Sequence, residues 1–215
     1  MPPALIFFVG LLVLMAIVVI VTRRRERERT EALRRVAETA GLAFEPSANI
    51  DAIRSLGDVQ LFARGHSKRV TNLMTGRLGD QQMAVFDYQY TIGSGKGQRN
   101  TMQTVVLLPS AKGSLPDLQM APENPLIKLI EAFGYQDIDI ESAPEFSRRY
   151  ILRGADEAAI RAALSPGATS YFAEHEGWTV EVQSGTVAIY RADTRPKPED
   201  MRTFIEDACA AARSL

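Results

Sequence analysis

Gly93-Ser94-Gly95-Lys96-Gly97 comes nearest to a chemical device in this chain, because glycines beside a lysine are how phosphate-binding loops are built. A loop of that kind needs a glycine five residues before the Gly-Lys pair and a Ser or Thr after it, so that backbone amides cradle the phosphates and the hydroxyl holds magnesium. Here Tyr90 and Gly97 occupy those positions. The stretch also joins two predicted strands, whereas phosphate loops open a helix whose N-terminal amides do part of the binding. It reads as a glycine-rich hairpin tip.

The remaining reactive side chains do not converge. His66 and His175 are the only histidines, and neither lies at metal-ligand spacing from the other or from the lone Cys209; a zinc site needs three or four such ligands. Both histidines read as surface or loop residues. Cys209, between Ala208 and Ala210 on a predicted helix, reads as a small buried thiol with no basic neighbour to activate it. There is no Gly-x-Ser-x-Gly nucleophile elbow. Asp87, between Phe86 and Tyr88, has the chemistry of a general acid or base, but strand alternation sends it to the outer face, where a solvated or ion-paired role is expected. No catalytic residue, cofactor or metal site is assigned.

Charge is distributed unevenly although the net charge is -1. Between Val59 and Gly113 the cations Arg64, Lys68, Arg69, Arg77, Lys96, Arg99 and Lys112 face only Asp80 and Asp87. Between Ser114 and Ser147 the acids Asp117, Glu123, Glu131, Asp137, Asp139, Glu141 and Glu145 face only Lys128. The two segments either neutralise one another within the fold, or the basic one turns Lys68, Arg69, Lys96 and Arg99 towards anionic lipid. Nucleic acid is not an expected partner, because the strands lack the aromatic and basic interleaving of RNA-binding sheets.

What would carry such residues to a lipid surface is the run from Ala4 to Val21, which is apolar throughout and stops at Thr22 and Arg23-Arg24-Arg25. As a helix it reaches about 27 Å, close to the hydrocarbon thickness of a bilayer. A cleaved signal peptide carries its cations before the apolar core; here they follow it, and no Ala-x-Ala pattern precedes Arg23. A buried core helix would keep a polar side, which this run lacks. Arg23, Arg24 and Arg25 therefore act as topology determinants: the span is predicted in the inner membrane, with the N-terminus outside and the soluble part in the cytoplasm. A single cysteine rules out an internal disulfide and is compatible with a reducing compartment.

Residues 1–22 are thus read as the anchor, 23–41 as a helical stalk and 42–215 as a soluble domain with a possible sub-boundary near 142–147. In the stalk Leu33, Val36, Ala37 and Ala40 recur at helical spacing, a narrow stripe to pack on the domain, and Gly41 ends it. The domain opens with a short strand at Leu42 to Glu45 and a brief helix capped by Asn49. Strands follow at Val59 to Ala63, Val70 to Arg77, Gln82 to Ile92 and Met102 to Leu108, with Ala84, Phe86, Tyr88, Tyr90 and Ile92 on one face of the longest. Leu115 to Pro125 reads as irregular, and a short helix is expected from Leu126 to Phe133. The second half reads strand (Arg148 to Arg153), helix (Ala155 to Leu164), helix opened by Ser165-Pro166, hairpin turning at Ser184-Gly185, and a last helix opened by Pro198. The expected class is α+β: an antiparallel sheet covered by helices on one side.

The segment Val85-Phe86-Asp87-Tyr88-Gln89-Tyr90, the Gly-Ser-Gly-Lys tip and Gln103-Thr104-Val105 resemble a pattern in uncharacterised bacterial single-pass membrane-anchored proteins, as does Glu145-Phe146 through Tyr150 to Leu164-Ser165-Pro166. The resemblance covers most of Gly41 to Leu215. It rests on structural positions, and the family has no assigned activity, so it implies a membrane location and transfers no site residue. The sequence points to a membrane-tethered protein- or lipid-interaction module. The alternative is a membrane-bound hydrolase or transferase without a recognisable motif.

Overall fold

Alternating apolar and polar residues build one antiparallel sheet, and the strong helix formers around it supply the covering layer. The computed structural model describes residues 3–110, 115–123 and 137–215, with side chains from residue 7 onward. The helix expected from Leu126 to Phe133 lies outside the described residues. In chain order the elements are α1 (Pro3–Ala40), β1 (Ala43–Ala48), α2 (Ile50–Leu56), β2 (His66–Leu78), β3 (Gln81–Ile92), β4 (Arg99–Pro109), β5 (Leu118–Pro122), α3 (Pro144–Arg149), β6 (Tyr150–Arg153), α4 (Glu157–Ala163), α5 (Pro166–Glu174), β7 (Thr179–Gln183), β8 (Thr186–Tyr190) and α6 (Met201–Ser214). The strands lie in the order β1-β2-β3-β4-β8-β7-β5-β6, and every neighbouring pair is antiparallel.

The expected α+β architecture is present. Leu33 and Ala37 of α1, Phe146 of α3, Ile160 of α4, Phe172 of α5 and Phe204 of α6 pack on the face carrying Val85, Val106, Val180 and Ile189. Trp178, the chain's single tryptophan, is buried there against Phe204. The opposite face carries Phe86, Tyr88, Tyr90, Val105 and Tyr190, under Ile53 of α2 and under Leu61 and Phe62. Both faces are therefore covered, the second one by a single short helix and a turn.

α1 runs without a break from the apolar run into the stalk. Leu33 and Ala37 are fully buried and Val36 and Ala40 partly so, which is the stripe read from the sequence. Among the described residues one helix, Phe7–Ala40, is long and apolar enough to cross a membrane, with a mean hydropathy of 2.3 over its best window. No side chain of that window is buried: Phe7 is 74% exposed and Leu12 59%.

Several expectations are corrected. Val59 to Ala63 is not a strand; Gln60–Ala63 is a 3-10 turn. Its polar backbone is satisfied by side chains in place of a neighbouring strand: the amide of Leu61 donates to Glu181 at 2.7 Å, and Arg54 and Lys68 donate to the Phe62 carbonyl at 2.9 and 2.6 Å. Glu181 is itself buried, accepts from Arg64 at 2.5 Å and from the Tyr190 hydroxyl at 2.7 Å, and so ties the turn to β7 and β8. Burial pushes the Tyr190 phenol well above its ordinary pKa, which keeps it a donor. The first strand extends through the proline turn to Ala48, pairing with β2 as far as Val70. The connector after Leu115 contains β5, which fills the gap between β6 and β7. The strand expected from Arg148 begins only at Tyr150, because Pro144 opens a short helix before it.

The capping signals hold. Asn49 accepts from the Asp51 amide, Ser165 accepts from the Ala168 amide ahead of Pro166, and Ser184-Gly185 turns with both φ angles positive, at 48° and 78°.

Candidate functional site

The stalk is fixed to the sheet by a buried ionic knot. Strand β3 places Asp87 on the face that α1 covers, and Thr104 of β4 stands directly opposite it. A bulge in β2 between Thr71 and Met74 holds Asn72 at a positive φ of 54°, which swings its amide towards the same carboxylate. Asp87 thus accepts from Asn72 Nδ2 at 2.9 Å and from Thr104 Oγ1 at 2.6 Å. From α1, Arg29 grips it through both Nε at 2.9 Å and Nη2 at 3.0 Å, while its Nη1 donates to the Pro196 carbonyl at 2.6 Å. Arg195, on the segment after β8, stands 3.7 Å from the same carboxylate and pairs in bidentate fashion with Glu26 of α1 at 2.9 and 2.7 Å.

Two arginines and two carboxylates balance, so the cluster can be buried without a net charge. Side-chain exposure is 2% at Asp87 and 12% at Arg29, rising to 45% at Glu26. The hydrogen bond from Arg195 holds the Glu26 carboxyl below its ordinary pKa. Both Asp87 oxygens are occupied by donors, which leaves no lone pair to take a substrate proton. The expectation of an outward-facing Asp87 is corrected here: the alternation was right, but α1 covers that face, so the aspartate is ion-paired and buried. The other members of the knot lie 15 to 169 residues away along the chain from their partners, so local pattern carries no sign of them.

Of the cations singled out in the sequence, none meets the acidic connector among the described residues. Lys68 donates to the Phe62 carbonyl; burial and then the charge of Arg54 lower its pKa. Arg99 pairs with Asp193. Lys96 sits on the exposed β3–β4 tip and Arg69 is exposed on β2; neither has a carboxylate partner among the described residues. Lys68 and Arg69 lie within β2, not in a connection before it. Of the connector's acids, Asp117 accepts from the Ser184 amide, Asp137 accepts from the Leu152 amide, and Glu145 pairs with Arg148 and Arg149. Arg23, Arg24 and Arg25 are exposed at the foot of the stalk, with Arg24 paired to Glu28 at 2.8 Å.

His66 bridges to the Gly93 carbonyl at 3.0 Å and His175 stacks on Tyr171 with centroids 4.2 Å apart. Cys209 is buried, and burial raises its thiol pKa. Among the described residues no group of His, Cys, Asp and Glu could hold a metal ion.

An open cleft of about 610 Å³ lies between α1 and the start of α6, walled by Val36, Ala40, Leu42, Leu78 and Ile205, with Arg35, Glu199 and Arg202 also lining it. Its size suits a small ligand or an inserted side-chain row. Asp87 and Lys96 line no part of it.

The fold has a solved counterpart. The chain is similar to the mycobacterial trehalose monomycolate transport factor A, with a TM-score of 0.60 at 10% sequence identity, over 87% of this chain and 92% of that one. At that identity the likeness concerns the fold. No family model matches the chain, and no curated protein sequence matches it.

Proposed function

We propose that this chain is a single-pass inner-membrane protein whose N-terminus lies outside and whose α+β part works at the cytoplasmic face as an interaction module for a lipid or protein partner. The observation that carries the reading is the knot at Asp87. It binds the sheet to the same helix whose N-terminal half is apolar and exposed, so the domain is held at a set height and angle over the end of that helix. A rigid mount suits a module that presents surfaces, and the cleft beside the stalk offers apolar walls without converging acids. The similar fold in a factor named for trehalose monomycolate transport supports a lipid-related role. The resemblance to uncharacterised bacterial membrane-anchored proteins supports the membrane location. The orientation rests on Arg23, Arg24 and Arg25.

Two arms test it. A reporter fused after Leu215 is expected to behave as cytoplasmic, with the orientation weakened when Arg23, Arg24 and Arg25 are made neutral; periplasmic-type activity in the unmodified fusion sinks the topology. A photo-crosslinking residue at Val36, in the full chain in its native membrane, is expected to capture one discrete lipid or protein adduct that Ala40→Glu abolishes. An adduct pattern identical to that from the exposed position Glu174 contradicts the module.

A further inference from the structure

The direction of α1 relative to β3 decides which end of the sheet approaches the membrane. Leu42, just past the end of α1, packs on Gly76, which pairs with Met83 at the start of β3, while Arg29 reaches Asp87 further along the strand. The helix and the strand therefore run antiparallel. Moving towards the apolar run means moving towards the β3–β4 tip.

The lengths are unequal in an informative way. From Arg29 back to Thr22 the helix covers about 10 Å. From Asp87 forward to Ile92, where β3 ends, the strand covers about 17 Å at strand rise, and the turn that carries Lys96 lies beyond it. Between the two contact points the helix covers about 18 Å and the strand about 13 Å, a mismatch that a crossing of about 45° accounts for. Even at that angle the end of β3 projects about 12 Å along the helix axis, level with Thr22, and the tip lies beyond it. With α1 read as a span, the β3–β4 tip is the part of the sheet that comes level with the membrane surface.

The chemistry at that end is basic. Every residue from Gly93 to Asn100 is exposed, Lys96 stands at the tip, and Arg69 lies on the face that α1 covers, opposite Gln89. Arg23, Arg25 and Arg27 flank them from the stalk, all exposed. Lys68 and Arg99 belong to the same end but are held by Phe62 and Asp193.

We propose that the β3–β4 tip and the start of β2 form a docking surface for the anionic phospholipid headgroups of the bilayer that holds α1, with Lys96 and Arg69 as the contact cations and Lys68 and Arg99 in support. This rests on the reading of α1 as a span. Each basic side chain near an anionic surface strengthens the contact about fivefold, with an attraction that fades over a Debye length. Tip docking also explains the run of small residues there: Gly93, Ser94, Gly95 and Gly97 let the backbone approach headgroups without bulk.

The test uses the full chain in nanodiscs containing a headgroup quencher, with a fluorophore attached at Ser94→Cys, Cys209 being buried. In discs with phosphatidylglycerol the label is expected to be quenched, and in phosphatidylcholine discs much less. Combining Arg69→Gln with Lys96→Gln is expected to lower the docked-to-undocked ratio about 25-fold, and high salt to do the same. Equal quenching in the two disc types, or quenching untouched by the double substitution, overturns the proposal and leaves the tip free for a protein partner. A reference label at Thr22→Cys separates the two readings. If Thr22 is quenched and Ser94 is not, only the docking fails; if neither is quenched, the span fails as well.

Discussion

Replacing Asp87 with Asn keeps the volume of the side chain and removes the charge that four donors share. Arg29 would keep one acceptor at most, and the new amide would meet its other N–H donor against donor, beside either Asn72 Nδ2, a second donor, or Thr104 Oγ1, whose hydroxyl would have to turn to accept. Arg29 and Arg195 would then be left with only Glu26 as a counter-charge. Removing one partner of a buried pair costs about 3–5 kcal/mol, which is a large share of a total stability of about 5–15 kcal/mol. The assay is urea unfolding of the full chain in detergent, followed through Trp178, which is 1% exposed and reports on the core beneath α6. Arg29→Met alone should cost a similar amount, because it strands Asp87 with an arginine at 3.7 Å. The double substitution should cost less than the sum of the two, with a coupling of about 1–3 kcal/mol. If Asp87→Asn shifts stability by less than about 1 kcal/mol, the knot is an ordinary surface pair and the stalk is not fixed by it.

Stability should also depend on acid through Glu26. Its folded pKa lies below the ordinary 4.5, so the stabilisation from its pair with Arg195 is complete above about that pH and is lost as the pH falls through the folded value. Nearly half the side chain is exposed, so the effect is small, and Glu26→Gln should flatten that part of a pH titration of the melting temperature. Gly65→Ala should destabilise strongly, since φ is +58° and a Cβ would sit 2.2 Å from the Thr91 carbonyl oxygen; Gly79→Ala, at φ +60° with open space, should cost only about 1 kcal/mol. Comparing the two melts separates the clash from the backbone cost.

Much of the fold was legible because its signals are local. The alternation through Phe86, Tyr88 and Tyr90, the caps at Asn49 and Ser165, and the stripe of Leu33 and Ala37 each lie within one element and obey one period. The 3-10 turn at Gln60–Ala63 was not legible, because its apolar residues suit a strand equally well. What decides against the strand is Glu181, which lies 120 residues from Leu61. β5 was hidden for a similar reason: a strand of five residues rich in proline neighbours reads as loop until β6 and β7 are there to pair with it. The knot was half visible. Asp87 stood out as a lone charge in an apolar strand, but its partner among the five arginines that follow the apolar run could be found only by folding the chain.

The central claim is that the stalk and the sheet form one rigid unit at the foot of the apolar helix. Hydrogen exchange of the full chain in nanodiscs tests it most directly, read at the amides of α1 from Arg29 to Ala40 against those of β3. A clamped stalk predicts protection within about tenfold of the β3 amides, falling in Asp87→Asn before the sheet itself opens. Exchange from Arg29 to Ala40 at the rate of an unsupported helix, in a chain whose β3 stays protected, would contradict it.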